Sequence, residues 1–274
     1  MSCTCKPPRP PLYLPSASPQ VDTPVARSHA SDHCRWGVES KLFPQLTAGL
    51  VGQFAGHYTQ VDIKELIAYA KARAIRIVPE FDLPAHARGL LPLDVASNAS
   101  LGRHGVEFCQ NASAEGKSHY QHRDQLHNDP ATNITLKTLA KLLGEMAELF
   151  EDDVMHIGGD ETFVIGKCNT STTAALQASL CDVVSGLGKV PAGWEELLFD
   201  AGAASPHAII QAWGGARHPA NITALGRQAI NSLSPHFYAG VANGSFSWAR
   251  AHADVGAGVP PSQRGLLVST IPLA

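Results

Sequence analysis

Apolar residues recur along this chain with two spacings, one typical of helices and one typical of buried strands. Between residues 135 and 150, leucine and methionine return every three or four positions, which predicts an amphipathic helix. A second helix is predicted to begin at Asp62, with Glu65 completing a capping box, and a third to cover much of residues 172–186. The apolar face of the second helix is predicted to comprise Val61, Ile63, Leu66, Ile67 and Ala70. Short apolar runs predict buried strands at residues 75–81, 154–157, 189–194, 208–213 and 228–233.

Strands that alternate with helices in this way predict a parallel α/β fold. The predicted strands end near Gly, Asp, Glu, His or Trp, and in a (β/α)8 barrel such residues gather at the C-terminal face, where active sites lie. A doubly wound sheet has the same local pattern, so the periodicity leaves both architectures open. Residues 1–28 are rich in Pro and Ser and are predicted to be irregular. One α/β domain is predicted to follow at residues 29–274, with a long polar loop at residues 94–130.

Composition and charge exclude several classes of protein. A chain of 274 residues with 44% hydrophobic residues is typical of a water-soluble globular domain. The net charge is −3 and Lys and Arg are scattered, so we predict no nucleic-acid partner. No apolar run approaches the roughly 18 residues that a membrane span requires, so we predict no membrane span. The first residues also lack the apolar core of a signal peptide.

The acceptor sequences for N-glycosylation point to an oxidising compartment. They begin at Asn98, Asn111, Asn133, Asn169, Asn221 and Asn243. This density favours a secreted or lysosomal glycoprotein, and we therefore interpret the chain as incomplete at its start. The six cysteines fit neither a zinc ribbon nor a small disulfide scaffold. Cys168 and Cys181 are interpreted either as a pair that closes a short loop or as two free buried thiols.

The sequence VMHIGGDE at residues 154–161 carries the clearest candidate chemistry, because an apolar strand ends there in two glycines and two adjacent acids. Adjacent buried carboxyls raise one another's pKa, so Asp160 and Glu161 are suited to holding different protonation states at one pH. The alternative interpretation is structural: a strand, a glycine turn and an acidic helix start. The pattern by itself leaves both interpretations open.

Several motifs in order resemble glycoside hydrolase family 20, the β-N-acetylhexosaminidases. They are HIGGDE at residues 156–161, the segments 58–65 and 77–86, GWEE at 193–196, IIQAW at 209–213 and SPHFY at 234–238. The resemblance covers roughly residues 29–240 and implies a TIM (β/α)8 barrel. Residues 13–15 resemble the segment after the family's first strand, yet only about a dozen residues separate them from His29. The first helix and second strand are therefore predicted to be missing, and the barrel to be incomplete.

The resemblance implies retaining hydrolysis in which the substrate's own 2-acetamido oxygen is the nucleophile. Glu161 would be the general acid and base, and Asp160 would hold the acetamide and offset the charge of the intermediate. The substrate-binding positions implied are Asp32, His86, Trp194, Trp213 and Tyr238. Without the resemblance, a buried Trp is more often part of the core than of a site.

Other site positions depart from the family or stay without a role. His33 stands where the family's second Asp follows Asp32, and Arg9 lies in Pro-rich sequence, so we do not assign it the family's sugar-binding Arg. His156 is predicted to be a hydrogen-bonded core residue and Glu196 to act only indirectly. Glu80 and Glu195 receive no role.

Two alternatives to an active hexosaminidase follow. The first is a catalytically impaired pseudoenzyme or sugar-binding remnant of the same family. The second is a metal-dependent hydrolase that uses His29, Asp32, His86, His156 and Asp160, although their spacing fits no metal motif. The leading interpretation requires no cofactor and no metal. Its partners would be a glycan with a terminal N-acetylhexosamine and a second copy of the chain in a homodimer.

Overall fold

Six parallel strands form the sheet at the centre of the fold. The structure is a computed structural model that describes residues 25–29, 36–48, 56–109, 124–202, 204–214, 219–233 and 258–266. The bounds of these strands are β1 Val25–His29, β2 Arg76–Glu80, β5 Val154–His156, β6 Val190–Trp194, β7 Ile209–Ala212 and β8 Ala229–Asn231. Neighbouring strands lie in the order β1-β2-β5-β6-β7-β8. A short antiparallel ribbon, β3 Glu107–Phe108 with β4 Leu126–His127, lies in the segment between β2 and β5.

The sheet confirms the predicted parallel α/β class, and every strand predicted from an apolar run is present. Because all its neighbouring strands are parallel, their carboxyl ends meet along one edge, as in a TIM barrel. Six of the eight strands of such a barrel lie among the described residues, which agrees with an incomplete barrel.

β1 was not predicted, and it corrects the expectation that no second strand follows residues 13–15. It pairs with β2 over five residues, from Val25 beside Arg76 to His29 beside Glu80. Residues 25–28 of the segment predicted to be irregular therefore belong to a strand, and the boundary at residues 28 and 29 falls inside it. The sequence VARSH is too short and too mixed to show a period, so only its pairing with β2 reveals it. Residues 1–24 lie outside the described part of the chain.

Helices connect most of the parallel strands. Their bounds are α1 Gln45–Ala48, α2 Gln60–Lys71, α3 Ile134–Leu149, α4 Thr170–Gly186, α5 Glu195–Phe199 and α6 Pro219–Ala224. The helices predicted at residues 135–150 and 172–186 correspond to α3 and α4. None of the helices that the structure describes combines the length and apolarity needed to cross a bilayer.

The start of α2 differs from the predicted start. Thr59 is the N-cap: its hydroxyl accepts the N–H of Asp62, and the Asp62 carboxylate accepts the N–H of Thr59 at 2.8 Å. Asp62 therefore occupies the capping-box position predicted for Glu65. Of the predicted apolar face, Ile63, Ile67 and Ala70 are buried, at the i, i+4 and i+7 spacing of one helix face. Val61 and Leu66 are exposed.

Aromatic rings pack behind the carboxyl end of β2. Phe81 stacks on Trp36 with ring centroids 5.4 Å apart and meets the edge of Phe150 at 6.3 Å. All three side chains are almost fully buried. This cluster fixes the backbone next to Asp82, the first acid of the site described below.

A disulfide among the described residues joins the ribbon to the loop that follows β5, and it corrects both interpretations of Cys168, as a partner of Cys181 and as a free thiol. Cys168 is bonded to Cys109, with Cα atoms 5.3 Å apart, whereas Cys181 is a buried free thiol on α4. The Cα separation lies in the range that a disulfide needs. The pairing crosses 59 residues of sequence, so no local spacing pattern indicates it.

Candidate active site

Strand pairing continues past β2 and β5 and brings two acidic loops together. The Phe81 N–H donates to the carbonyl of His156 at 2.9 Å, and the Leu83 N–H donates to the carbonyl of Ile157 at 3.0 Å. Asp82 is thereby held against Gly158, the first of the two glycines that precede the acid pair Asp160 and Glu161. Both loops leave the carboxyl ends of neighbouring parallel strands, the edge at which barrel enzymes hold their catalytic groups.

Gly158 permits this close approach. Its φ is +70°, and an added Cβ would lie 2.5 Å from the Cα of Asp82 and closer still to the Asp82 carboxylate. A side chain there would be strained by the backbone and would also displace Asp82.

Replacing Gly158 with alanine is therefore expected to lower the free energy of unfolding by roughly 3 kcal/mol or more, since overpacking adds to backbone strain. Gly188→Ala is the matched control, because Gly188 has φ +76° but an added Cβ meets nothing within 4 Å. That variant should lose only the roughly 1–2 kcal/mol of left-handed strain. Urea unfolding of both variants measures the difference, and equal losses would contradict the close approach.

His86 lies between the two acids. Its Nε2 is 3.2 Å from Oε2 of Glu161 and 3.7 Å from Oδ2 of Asp160. His86 and Glu161 both have left-handed backbone, with φ of +53° and +48°. Non-glycine residues in that region carry strain that functional sites commonly store. The geometry brings together three residues that the sequence placed in one site.

Asp82 is a site residue that sequence reasoning missed. Burial first, and then the charges of Asp160 and Glu80, raise its pKa well above the usual range, and the N–H of Gly159 donates to its Oδ1 at 3.2 Å. A hydrogen bond between the two carboxyls further favours the protonated form of Asp82 and the charged form of Asp160. Burial, the neighbouring charges and this hydrogen bond therefore all favour the protonated form of Asp82.

Asp160 is itself half-buried, and some of its neighbours raise its pKa while others lower it. Burial raises its pKa above the ordinary aspartate value, while His86 and the Asp82 hydrogen bond lower it. These two neighbours thus partly offset the cost that the loss of water imposes on the charged carboxylate. The arrangement suits an acid that must answer positive charge developing nearby.

Glu80 and His156 support the first tryptophan. Glu80 is completely buried, its Oε1 accepts the indole N–H of Trp194 at 3.1 Å, and the same oxygen lies 3.4 Å from Nδ1 of His156. The His156 ring meets the Trp194 ring edge-on, with centroids 5.3 Å apart. His156 is buried and hydrogen-bonded as predicted, and Glu80, which had no assigned role, orients Trp194. Glu80 and Asp82, the two acids at the carboxyl end of β2, lie in an apolar run, and this sequence pattern does not indicate a role for either of them.

Trp213 follows β7, and the two glutamates of α5 hold it. The Trp213 N–H donates to Oε2 of Glu195 at 2.9 Å, and its indole N–H donates to Oε1 of Glu196 at 3.0 Å. Burial raises the pKa of Glu196 to about 7, and the charge of Asp160 acts in the same direction. Glu195 thus has a structural partner that the sequence did not indicate.

The loop that carries the acids is fastened on both sides. The buried Gln125 accepts the N–H of Phe163 at 2.8 Å, and Gln177 donates to the carbonyl of Gly159 at 3.1 Å. The Cys109–Cys168 disulfide closes the far end of the same loop. These contacts hold Asp160 and Glu161 in place before any substrate is bound.

The described structure thus brings His86 beside Asp160 and Glu161, and it places Trp194 and Trp213 at the carboxyl ends of β6 and β7, hydrogen-bonded to Glu80 and Glu196. The predicted residues Asp32 and Tyr238 lie outside the described residues. One atom each from Asp82, His86 and Asp160 could also hold a metal ion, since these ligand atoms lie within 4.8 Å of one another. His86 and Asp160 are also among the ligands of the metal-dependent hydrolase that the sequence left as an alternative. The hydrogen bond between Asp82 and Asp160 accounts for the contact of these two carboxyls without a metal.

Comparison with known proteins relates the chain to one family. The family described as "Glycosyl hydrolase family 20, catalytic domain" matches residues 25–258. Beta-hexosaminidase subunit A2 of Dictyostelium discoideum is 28% identical over 225 residues, which are 75% of this chain and 38% of that protein. Beta-hexosaminidase subunit alpha of Bos taurus is 30% identical over 210 residues, which are 68% of this chain and 36% of that protein. The chain therefore spans well under half the length of these relatives.

Solved structures agree at the level of the fold. The GH20 exo beta-N-acetylglucosaminidase from Vibrio harveyi, in complex with N-acetylglucosamine, superimposes with a TM-score of 0.68 at 24% identity. The match covers 90% of this chain and 45% of that one. The GH20 beta-N-acetylhexosaminidase from Streptomyces coelicolor gives a TM-score of 0.64 at 24% identity, over 89% of this chain and 51% of that one.

Proposed function

The chain belongs to glycosyl hydrolase family 20, and from this premise we propose that it is an exo-β-N-acetylhexosaminidase. Its substrate would be a glycan or glycoconjugate with a terminal β-linked N-acetylglucosamine or N-acetylgalactosamine. The observation that carries the proposal is the cluster in which Nε2 of His86 lies 3.2 Å from Glu161 and 3.7 Å from Asp160, while Asp82 is hydrogen-bonded to Asp160. This cluster provides two carboxyls with different tasks at one point of the site.

Glu161 is proposed to protonate the glycosidic oxygen as the leaving group departs and then to remove a proton from water. Its side chain is 31% exposed, which leaves it open to a substrate, and Nε2 of His86 lies 3.2 Å from its Oε2. A histidine at this distance can orient the Glu161 carboxyl, and it can exchange a proton with that carboxyl between departure of the leaving group and attack of water.

Asp160 is proposed to accept the acetamide N–H and to offset the positive charge of the oxazolinium-like intermediate. It is more buried than Glu161, and its hydrogen bond with Asp82 favours its charged form. Substrate-assisted enzymes use this arrangement in place of a nucleophilic carboxylate. The two adjacent acids must therefore behave differently, because Glu161 has to give up a proton whereas Asp160 has to stay charged.

Trp194 and Trp213 are proposed to line the slot for the acetamide methyl and the sugar face. Both rings are half-buried, and both indole N–H groups are bonded to a glutamate. Their faces are thus fixed and available to apolar C–H groups. Asp32 and Tyr238 stay predictions for the same site.

Hydrolysis by the purified chain tests the proposal. We expect release of a chromogenic phenol from an N-acetylglucosaminide or an N-acetylgalactosaminide, and little release from the matching plain glucoside. Binding of a thiazoline mimic of the intermediate without any hydrolysis would favour the pseudoenzyme instead. Loss of activity on adding a chelator would favour the metal-dependent alternative.

The compartment proposed is lysosomal or extracellular. The Cys109–Cys168 disulfide is of a kind that persists in oxidising compartments. Among the acceptor asparagines in the described residues, Asn98, Asn169 and Asn221 are exposed. Mobility shifts after glycosidase treatment of the expressed protein would test this, and sedimentation would test the predicted homodimer.

A further inference from the structure

Trp213 is fastened at two separate points by neighbouring residues of α5. Its backbone N–H and that of Gly214 donate to the same oxygen of Glu195, at 2.9 and 3.2 Å. Glu195 is only 3% exposed, so water does not compete strongly for these bonds. The backbone of Trp213 is therefore fixed without any contribution from its ring.

The ring is fixed by the next residue. The indole N–H of Trp213 lies 3.0 Å from Oε1 and 3.2 Å from Oε2 of Glu196, so both carboxylate oxygens share one donor. Because Glu195 holds the backbone of Trp213, the hydrogen bond to Glu196 is the contact that sets the rotation of the indole ring. A carboxylate is also a stronger acceptor for an N–H than a neutral group.

We propose that Glu196 is a positioning residue that sets the orientation of the Trp213 indole and thereby the affinity of the site for the N-acetyl group. The inference rests on the proposed function, because it takes Trp213 as one wall of the acetamide slot. Glu196 would act only through Trp213, without contact with the reacting atoms. Its loss should therefore change KM much more than kcat.

The charge of Glu196 makes this orientation depend on pH. Burial raises its pKa to about 7, and the indole hydrogen bond acts in the opposite direction. The charged groups that act on it in the described residues are Asp160, from the loop after β5, and Glu195, on its own helix. Both are acids, so both favour protonation. Above neutral pH the ionised carboxylate holds the indole strongly, and below it the protonated carboxyl holds it less well.

Two measurements on the full chain test the proposal. The first is the indole ¹H–¹⁵N signal of Trp213, assigned by its loss in Trp213→Phe. In the wild type we expect this signal to shift with pH around a midpoint near the pKa of about 7. Glu196→Gln should abolish the shift, whereas Glu148→Gln, an exposed carboxyl on α3, should retain it.

The second measurement is the kinetics of N-acetylglucosaminide hydrolysis. At pH 8, Glu196→Gln should raise KM about fivefold and change kcat by less than about twofold, the scale of one hydrogen bond. At pH 5 its KM should match the wild type, because the wild-type carboxyl is then protonated. In a Trp213→Phe background, Glu196→Gln should have no further effect on KM.

A Trp213 signal that still titrates in Glu196→Gln would overturn the positioning role. So would a KM increase of the same size at pH 5 and pH 8, which would indicate a general structural defect. Additive effects of Glu196→Gln and Trp213→Phe would also count against it. A wild-type chain that hydrolyses no N-acetylhexosaminide would instead reject the proposed function, and the indole titration would still decide whether Glu196 controls the ring.

Discussion

Glutamine in place of Glu161 is expected to slow hydrolysis of N-acetylhexosaminides with poor leaving groups by about 10²–10⁴-fold, the usual contribution of a general acid. The amide keeps the shape of the side chain and its place near His86, but it has no proton to give. Substrates whose leaving group is an acidic phenol need little protonation and should lose much less in the first step. Steady-state rates on both substrate types measure this contrast.

Glu65→Gln serves as the control for Glu161→Gln, because Glu65 is an exposed carboxyl on α2. It should leave both rates unchanged. Equal losses on both substrate types in Glu161→Gln would argue against proton donation and in favour of a damaged binding site. Melting curves of the two variants separate that outcome from unfolding.

The sequence was informative wherever one element carries its own signal. The apolar runs that became β2 and β5 to β8 and the leucine period of α3 are local patterns, so they could be found without any structure. β1 shows the opposite case: its five residues have no period, and parallel pairing with β2 is what makes them a strand. The same is true of the disulfide, whose two cysteines meet only after the ribbon and the acid loop have folded.

In the candidate site, the adjacent acids could be picked out from the sequence, whereas the contacts of Glu80 and Asp82 could not. Asp160 and Glu161 follow a strand and two glycines, a pattern visible in eight residues. Asp82 and Glu80 lie in another apolar segment; the partners of Asp82 are in the loop after β5, and Glu80 accepts a hydrogen bond from Trp194 at the end of β6. The use of a carboxyl at a strand end depends on which neighbouring strand it faces, and that is decided by sheet order rather than by sequence spacing.

Asparagine in place of Asp160 should remove the charge that stabilises the oxazolinium-like intermediate. We expect kcat to fall by about 10²-fold or more, since removal of one preorganised stabilising group typically costs about 3 kcal/mol. KM should change less, because an amide oxygen can still accept the acetamide N–H in the ground state.

The same variant should also lower the pKa of Asp82. The charge of Asp160 is the second-largest cause that raises the pKa of Asp82, after burial. In Asp160→Asn that repulsion is absent, and so is the carboxylate that is hydrogen-bonded to Asp82, so the pKa of Asp82 should fall. The ¹³C signal of the Asp82 carboxyl measures this change.

The fall in kcat should depend on the acetamide of the substrate. If the acetamide oxygen is the nucleophile, the wild type should cleave a plain glucoside very poorly, and Asp160→Asn should change that small rate little. Asp200→Asn, at an exposed acid after α5, is the control for the substitution itself and should leave the rate on the N-acetylated substrate unchanged. Cleavage of the plain glucoside by the wild type at a rate comparable to the N-acetylated substrate would refute substrate assistance, because no acetamide is then needed to form the intermediate.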